Sequence, residues 1–233
     1  MRLILFDVDG TLLSAGGAGR RALSRALSAV YGLTGPIEAY DFRGKTDPKI
    51  VCDLMTAAGI PRERIILHLE RCFDVYIEEL KAEIRNGGRV KLMRGVAELV
   101  RRLSEHGGVV LGLLTGNIEA GARIKLEPTG LLPRFRLGAY GSDHADRTKL
   151  PAIAAGKAAE ILGHALRAEQ VVVVGDTPLD IECARAFGAR AVAVATGWHR
   201  MEELAAHRPD ALLSSLEDID SVMATLLNGE IRP

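Results

Sequence analysis

Four short runs of apolar residues, each followed at once by polar residues, constrain the fold of this chain more than any other feature of its sequence. They occupy residues 3–6, 109–114, 171–174 and 191–195. Continuous apolar runs of this kind are typical of strands that are buried on both faces of a parallel sheet. Stretches with helical periodicity lie between the later runs, at residues 96–105, 150–162 and 181–187. This alternation predicts an α/β fold with a doubly wound parallel sheet.

The segment from residue 15 to residue 88 interrupts the alternation. Its helical periodicity falls at residues 20–31, 48–58 and 62–84, and it has no convincing strand pattern. A helical block of about 70 residues between the first two strands is far longer than an ordinary connection in an α/β unit. We therefore expect an inserted all-helical cap at residues 15–88 and an α/β core formed by residues 1–14 and 89–233.

Composition and charge limit the partners of the chain. Thirty Lys and Arg residues balance thirty Asp and Glu residues, whereas nucleic-acid binders normally carry a basic excess. No apolar run approaches the roughly 20 residues of a membrane span, and Asp7 stops the first run before it reaches the length of a signal-peptide core. The three cysteines have no metal-site or CxxC spacing, which favours free thiols in a reducing compartment. We expect a cytoplasmic protein that binds a small molecule and neither nucleic acid nor membrane, as a monomer or a homodimer.

Two carboxylates follow the first predicted strand, in the segment Phe6-Asp7-Val8-Asp9-Gly10-Thr11. Ligands of open α/β sheets bind beyond the carboxyl ends of the strands. Two carboxylates this close repel each other unless a cation lies between them or one of them carries a proton. Asp-Gly is also a common turn pair, so this motif alone leaves a functional and a structural interpretation equally open.

Polar residues also end the second and third runs. Thr115, Gly116 and Asn117 follow the second run, where a hydroxyl and free backbone N–H groups can hold phosphate oxygens, although Thr115 could equally cap a helix. Asp176 and Asp180 follow the third run, and oxygen ligands suit Mg²⁺. Parallel strands end at one edge of the sheet, so these residues are expected around one crevice.

Together the three motifs resemble those of the haloacid dehalogenase superfamily. The segments that match its first, second and fourth motifs are, in that order, Asp7-x-Asp9-Gly10-Thr11, Thr115 and Gly175-Asp176-xxx-Asp180. The helical insertion is similar to the C1 cap of the family, so the likeness covers nearly the whole chain. It is nearest to the phosphoglycolate-phosphatase-like and β-phosphoglucomutase-like members. The resemblance implies a Rossmann-like catalytic core and a cap that determines substrate specificity.

The resemblance also implies roles for these residues. Asp7 would attack phosphorus and form an aspartyl-phosphate, and Asp9 would act as general acid and base. Mg²⁺ would be held by Asp7, by the backbone carbonyl of Asp9 and by Asp176, with Asp180 assisting. The catalytic set would include Thr115, and the residues expected around the phosphate are Gly10, Thr11, Gly116 and Asn117.

The third motif of the family, a cation, has no clear match. The local sequence is Asp143-His144-Ala145-Asp146-Arg147-Thr148-Lys149-Leu150-Pro151. We expect Lys149 to supply the cation, with Arg147 as a close second candidate and Lys157 as a remote third. A cation here would offset the crowded carboxylates and bind the transferring phosphoryl group. In the cap, Arg43 and Lys45 lie on a predicted loop from which either could reach the far end of a substrate, or could simply be solvated.

An Asp at position 9 favours phosphate esters, because their alkoxide leaving group needs a proton, whereas the halide released by the dehalogenase branch does not. The sequence therefore predicts a Mg²⁺-dependent phosphatase for a small phosphorylated metabolite, such as phosphoglycolate, a sugar phosphate or a nucleotide. A phosphomutase of the β-phosphoglucomutase type is the alternative within the family. A non-catalytic module regulated by phosphorylation of an Asp is the alternative outside it, although such a module needs neither Asp9 nor a cap.

Overall fold

The computed structural model describes residues 1–86 and 90–228 of the chain. The strands of this part, in chain order, are β1 (Arg2–Phe6), β2 (Leu13–Ser14), β3 (Lys91–Leu92), β4 (Val109–Thr115), β5 (Leu137–Tyr140), β6 (Val171–Gly175), β7 (Arg190–Val194) and β8 (Ala211–Leu213). The α-helices are α1 (Ala18–Tyr31), α2 (Asp47–Ala57), α3 (Arg62–Arg85), α4 (Val96–Glu105), α5 (Glu119–Leu126), α6 (Leu150–Leu162), α7 (Pro178–Phe187), α8 (Met201–Ala206) and α9 (Ile219–Asn228). None of these helices is long and apolar enough to cross a membrane.

A six-stranded sheet forms the centre of the molecule, in the order β5-β4-β1-β6-β7-β8. Every adjacent pair in it is parallel. Side chains alternate across a strand, so Ile4 and Phe6 enter one buried cluster with residues of α4 and α9, whereas Leu3 and Leu5 enter another with residues of α6 and α7. Burial on both faces explains the uninterrupted apolar run of β1. The predicted α/β, doubly wound parallel fold is confirmed.

The four predicted strands are present, and each differs from its predicted bounds by at most one residue at either end. Two further sheet strands have no comparable sequence signal. The four residues of β5 include a glycine, and β8 is a three-residue edge strand whose last two residues are only partly buried. Strands this short can be recognised only by the neighbours they pair with.

Between β2 and β3 the described residues of the insertion form helices α1, α2 and α3 and no strand, as predicted. The two short strands pair in an antiparallel manner, Leu13 with Leu92 and Ser14 with Lys91, so the chain enters and leaves the insertion side by side. The division into a cap at residues 15–88 and a core stays a prediction, and its boundary at residues 88 and 89 lies outside the described residues.

Candidate active site

Three buried carboxylates meet at the carboxyl edge of the central strands. Asp7 follows β1, Asp176 follows β6, and Asp180 lies in the first turn of α7. One carboxylate oxygen from each lies within 4.8 Å of the others. The Asp7 backbone N–H donates to the Val174 carbonyl at 2.9 Å, which extends the pairing of the two strands to the first aspartate. The structure thus brings the acids of the first and fourth motifs together.

Asp176 is the member of this cluster that most needs a cation. Its Oδ1 accepts a hydrogen bond from the Thr11 hydroxyl at 3.1 Å, but its buried Oδ2 has no hydrogen-bond partner among the described residues. Burial, together with the neighbouring Asp7 and Asp180 carboxylates, raises the pKa of Asp176 well above its usual value. A carboxylate in this position is stabilised either by a proton or by a metal ion. An all-oxygen donor set of this kind fits Mg²⁺.

The oxygens of Asp180 are already engaged by protein donors. Its Oδ2 accepts from the Thr177 N–H at 3.0 Å and from the Thr177 hydroxyl at 2.7 Å, which closes a capping box at the start of α7. Its Oδ1 accepts from Arg147 Nη2 at 2.5 Å. Asp7 and Asp176 are therefore better placed to supply metal ligands, and Asp180 to hold the residues around them.

Arg147, the second of the three candidates for the third-motif cation, lies within the acid cluster. Its Nη2 lies 3.1 Å from Asp7 Oδ1, and its side chain is buried beside Asp180. Burial alone would lower the pKa of Arg147, but the Asp180 and Asp7 carboxylates outweigh it and raise the pKa. For the Asp7 carboxyl, burial has the opposite effect and raises the pKa to about 6, although the nearby Arg147 partly offsets it.

The other two candidates for this cation lie elsewhere. Lys149, the candidate preferred from the sequence, is exposed and does not line the cleft. Lys157 pairs with Asp143 at 3.0 Å, away from the acid cluster. A short 3₁₀ turn over residues 147–149 directs Arg147 inward and leaves Lys149 at the surface. The spacing of the sequence does not reveal which residue of such a turn faces the site.

The second-motif residues form a buried polar link to Asp9. Asn117 Nδ2 donates to the Thr115 hydroxyl and to Asp9 Oδ2, each at 2.8 Å. Gly116 lies against the insertion, where a Cβ atom would come 2.1 Å from the Lys45 carbonyl oxygen. The Gly116 carbonyl accepts the Asp47 N–H at 2.7 Å. This loop therefore joins the carboxyl edge of the sheet to the helical insertion.

Two charged residues at this junction are absent from the sequence predictions. Lys125 on α5 places its Nζ 2.6 Å from Asp9 Oδ2, and Asp47 at the start of α2 accepts the Ile118 N–H at 2.8 Å. Burial raises the pKa of Asp47 to about 6, and Lys125 partly offsets this effect. Lys125 lies three residues after the buried Ala122, on the apolar stripe of α5. A charged residue on such a stripe is the sequence signal that could have identified it.

A cleft of about 660 Å³ separates the sheet edge from the insertion. Arg43 and Lys45 line it from the insertion side. Arg43 donates to both carboxylate oxygens of Asp41, at 2.8 and 3.0 Å. The Lys45 ammonium lies 4.0 Å from the centre of the Tyr40 ring. Gly10 also lines the cleft, and Thr11 lies buried behind it against Asp176.

Comparison with known proteins identifies the family. A family model described as haloacid dehalogenase-like hydrolase matches residues 1–188. The chain belongs to this family. The hydrolase class predicted from the three motifs is thereby confirmed, and the acid cluster described above lies within the matched residues of this haloacid dehalogenase-like hydrolase.

Two curated relatives align along most of this haloacid dehalogenase-like chain. The phosphoglycolate phosphatase of Pectobacterium atrosepticum is 27% identical over 224 residues, which cover 94% of this chain and 91% of that protein. The phosphoglycolate phosphatase of Salmonella typhimurium is 25% identical over 238 residues, with 94% and 91% covered.

Solved structures share the fold. A predicted phosphatase from Clostridium acetobutylicum superposes with a TM-score of 0.71 at 17% identity, covering 95% of this chain and 98% of that one. A predicted phosphoglycolate phosphatase from Haemophilus somnus gives 0.70 at 20% identity, with 96% and 98% covered. At this level of identity these two structures establish the shared architecture only.

Proposed function

We propose that this hydrolase is a Mg²⁺-dependent phosphatase that releases phosphate from a small phosphorylated metabolite through an aspartyl-phosphate at Asp7. The observation that carries the proposal is the buried cluster in which Asp7 lies beside Arg147 and close to Asp176, whose Oδ2 has no hydrogen-bond partner among the described residues. The relatives described as phosphoglycolate phosphatases support phosphate esters as the substrate class.

The proposed reaction gives each of these side chains one role. The Asp7 carboxylate attacks phosphorus, the bond from phosphorus to the ester oxygen breaks, and Asp9 donates a proton to that leaving oxygen. A water molecule then attacks the aspartyl-phosphate and gives a proton to Asp9, which releases phosphate and restores Asp7. Arg147 and the Thr115 hydroxyl hold oxygens of the phosphoryl group as its charge redistributes.

The metal would bind to Asp7, Asp176 and the backbone carbonyl of Asp9. When bound, Mg²⁺ supplies a positive charge that polarises the phosphoryl group and screens it from the aspartates. The same charge would satisfy the buried Oδ2 of Asp176. This expectation rests on the donor set and can be tested by binding as well as by activity.

The cleft favours a small substrate whose far end carries polar or anionic groups. A volume of about 660 Å³ suits a metabolite better than a polymer. Lys45 is the better candidate for the far end, because Arg43 is held by Asp41, whereas Lys45 has no carboxylate partner within 4 Å among the described residues. We place phosphoglycolate first among candidate substrates, followed by sugar phosphates and nucleotides. We also propose that the protein acts in the cytoplasm.

Phosphate release from 4-nitrophenyl phosphate tests the proposal. The wild type is assayed with Mg²⁺ and with EDTA, beside Asp7→Asn and a control variant, Asp74→Asn, whose aspartate is exposed on α3. We expect activity that needs Mg²⁺, survives in the control and is lost in Asp7→Asn. Undiminished activity in Asp7→Asn would refute the nucleophile. Transfer of the phosphoryl group to a sugar hydroxyl instead of water would identify a mutase.

A further inference from the structure

Lys125 has no role in the chemistry described above, although it directly contacts Asp9. Its side chain is 6% exposed, and its Nζ donates to Asp9 Oδ2 and to Asn117 Oδ1, each at 2.6 Å. An ammonium group buried without partners would be strongly destabilising. The buried ammonium group of Lys125 is therefore stabilised by the oxygens of Asp9 and Asn117. Both of these residues belong to the candidate active site.

The contacts to Asp9 are unevenly divided between its two oxygens. Lys125 and Asn117 both donate to Oδ2, at 2.6 and 2.8 Å. The described part of the chain supplies no donor to Oδ1. The Asp9 side chain itself is 43% exposed and lines the cleft. One oxygen is thus fixed from behind, and the other is left available to a molecule in the cleft.

Lys125 is itself held tightly in place. It lies on α5, whose Gly121 packs near the Tyr76 ring, and a Cβ atom on Gly19 of α1 would come 3.4 Å from the lysine Nζ. The buried ammonium group therefore lies where α5 packs against α1, near Tyr76 of α3. A restrained side chain fixes its partner more precisely than a mobile surface lysine could.

We infer that Lys125 is a positioning residue, which together with Asn117 fixes Asp9 Oδ2 so that Oδ1 faces the leaving oxygen of the substrate. The inference rests on the proposed function, in which Asp9 is the general acid. Lys125 acts through Asp9 and touches no reacting atom. Its effect depends on how strongly the leaving group needs a proton, and this dependence separates positioning from general structural support.

The test compares two esters of similar shape, phenyl phosphate and 4-nitrophenyl phosphate. Phenolate is the more basic leaving group and needs the proton more. The parameter kcat/KM covers the steps up to departure of the leaving group. Because general acid catalysis is worth about 10²–10⁴-fold in total, we expect Lys125→Met to lower kcat/KM about tenfold for phenyl phosphate and about twofold for the nitrophenyl ester.

Three further variants serve as controls for Lys125→Met. Asp9→Asn should shift the ratio between the two esters in the same direction, and Lys125→Arg, which retains a cationic donor, should shift it less than Lys125→Met. Lys49→Met removes a surface lysine paired with Asp53 and should leave the ratio unchanged. Equal losses on both esters in Lys125→Met would show a structural role only and would overturn the inference.

Crystal structures of the wild type and of Lys125→Met provide a test that does not need turnover. We expect the Asp9 carboxylate to leave hydrogen-bonding distance of Asn117 Nδ2 in the variant, with the fold unchanged. An Asp9 side chain in the same place in both structures would overturn the inference. If the wild type hydrolyses neither ester with Mg²⁺, the proposed function fails, and this comparison still decides whether Lys125 positions Asp9.

Discussion

At the scale of single residues, the site depends on how closely the chain packs around Asp176. A Cβ atom built on Gly197 would lie 1.7 Å from Asp176 Oδ2. No side chain fits between them without displacing the carboxylate. The Thr196 hydroxyl donates to the Gly10 carbonyl at 2.8 Å, so the loop that contains Gly197 is tied to the first motif. These two residues after β7 support the proposed metal site without contributing a ligand.

This packing predicts that Gly197→Ala weakens metal binding. Displacing a ligand through its supporting residues typically costs 10–100-fold in metal affinity. We expect the Mg²⁺ concentration for half-maximal activity to rise by about tenfold or more. Gly156→Ala is the control, because a Cβ atom there meets nothing within 4 Å and the residue lies within α6. Equal Mg²⁺ dependence in the two variants would contradict the assignment.

The buried carboxyl of Asp47 should make the free energy of unfolding depend on pH. Burial raises the folded-state pKa of Asp47 to about 6, from 3.8. The folded state therefore binds more protons than the unfolded state between these values, so its stability falls as pH rises through this window. Relative to Asp47→Asn, the wild type should lose on the order of 1–3 kcal/mol of unfolding free energy between about pH 4 and pH 6 and then level off. Urea unfolding at several pH values measures this difference, and a difference that does not change with pH would contradict the account.

At the scale of elements, the start of α2 is joined to the core by hydrogen bonds. The Thr46 hydroxyl donates to the Ala145 carbonyl at 2.6 Å, and the Asp47 N–H donates to the Gly116 carbonyl at 2.7 Å. The same segment carries Arg43 and Lys45 into the cleft. Docking of this segment would therefore determine which groups face a substrate at the proposed site.

Gly116→Ala should disturb this docking. The new methyl group would meet the Lys45 carbonyl oxygen at 2.1 Å, a backbone atom that cannot rotate away. We expect KM to rise by several-fold while circular dichroism stays unchanged, because the segment shifts but the sheet does not. Gly107→Ala, where a Cβ atom meets nothing within 4 Å, should match the wild type. An unchanged KM in Gly116→Ala would show that the docked segment does not bind substrate.

The bounds of several helices and some residues of the candidate site can be predicted from the sequence. The helices α4 and α6 have the predicted bounds, and left-handed glycines lie at the start of the first and at the end of the second. Asp7 and Asp176 are predictable because polar residues end buried strands. Which side chain of the turn at residues 147–149 faces the acid cluster is not predictable, since it depends on the orientation of one 3₁₀ turn. Lys125 is found only through packing between helices that are distant in sequence.

At the scale of the whole molecule, the parallel sheet gathers three acids from two distant parts of the chain at one edge. Asp7 and Asp176 are 169 residues apart in sequence but lie in one buried cluster. The mutual repulsion of these acids opposes folding, and a bound cation would relieve it. The metal site should therefore be visible in the stability of the entire protein.

Thermal unfolding with and without Mg²⁺ tests this link. A ligand that binds only the folded state stabilises it by about 2.7 kcal/mol at 100 times its Kd. We expect Mg²⁺ to raise the Tm of the wild type but not that of Asp176→Asn. A rise of equal size in both proteins would place the ion elsewhere.

The central claim is that Asp7 carries the phosphoryl group during turnover. Mass spectrometry of protein quenched in acid, after brief reaction with 4-nitrophenyl phosphate and Mg²⁺, tests it most directly. We expect a phosphoryl adduct on the peptide that contains Asp7, present in the wild type and missing in Asp7→Asn. Phosphate release by the wild type with no adduct, together with full activity in Asp7→Asn, would contradict it.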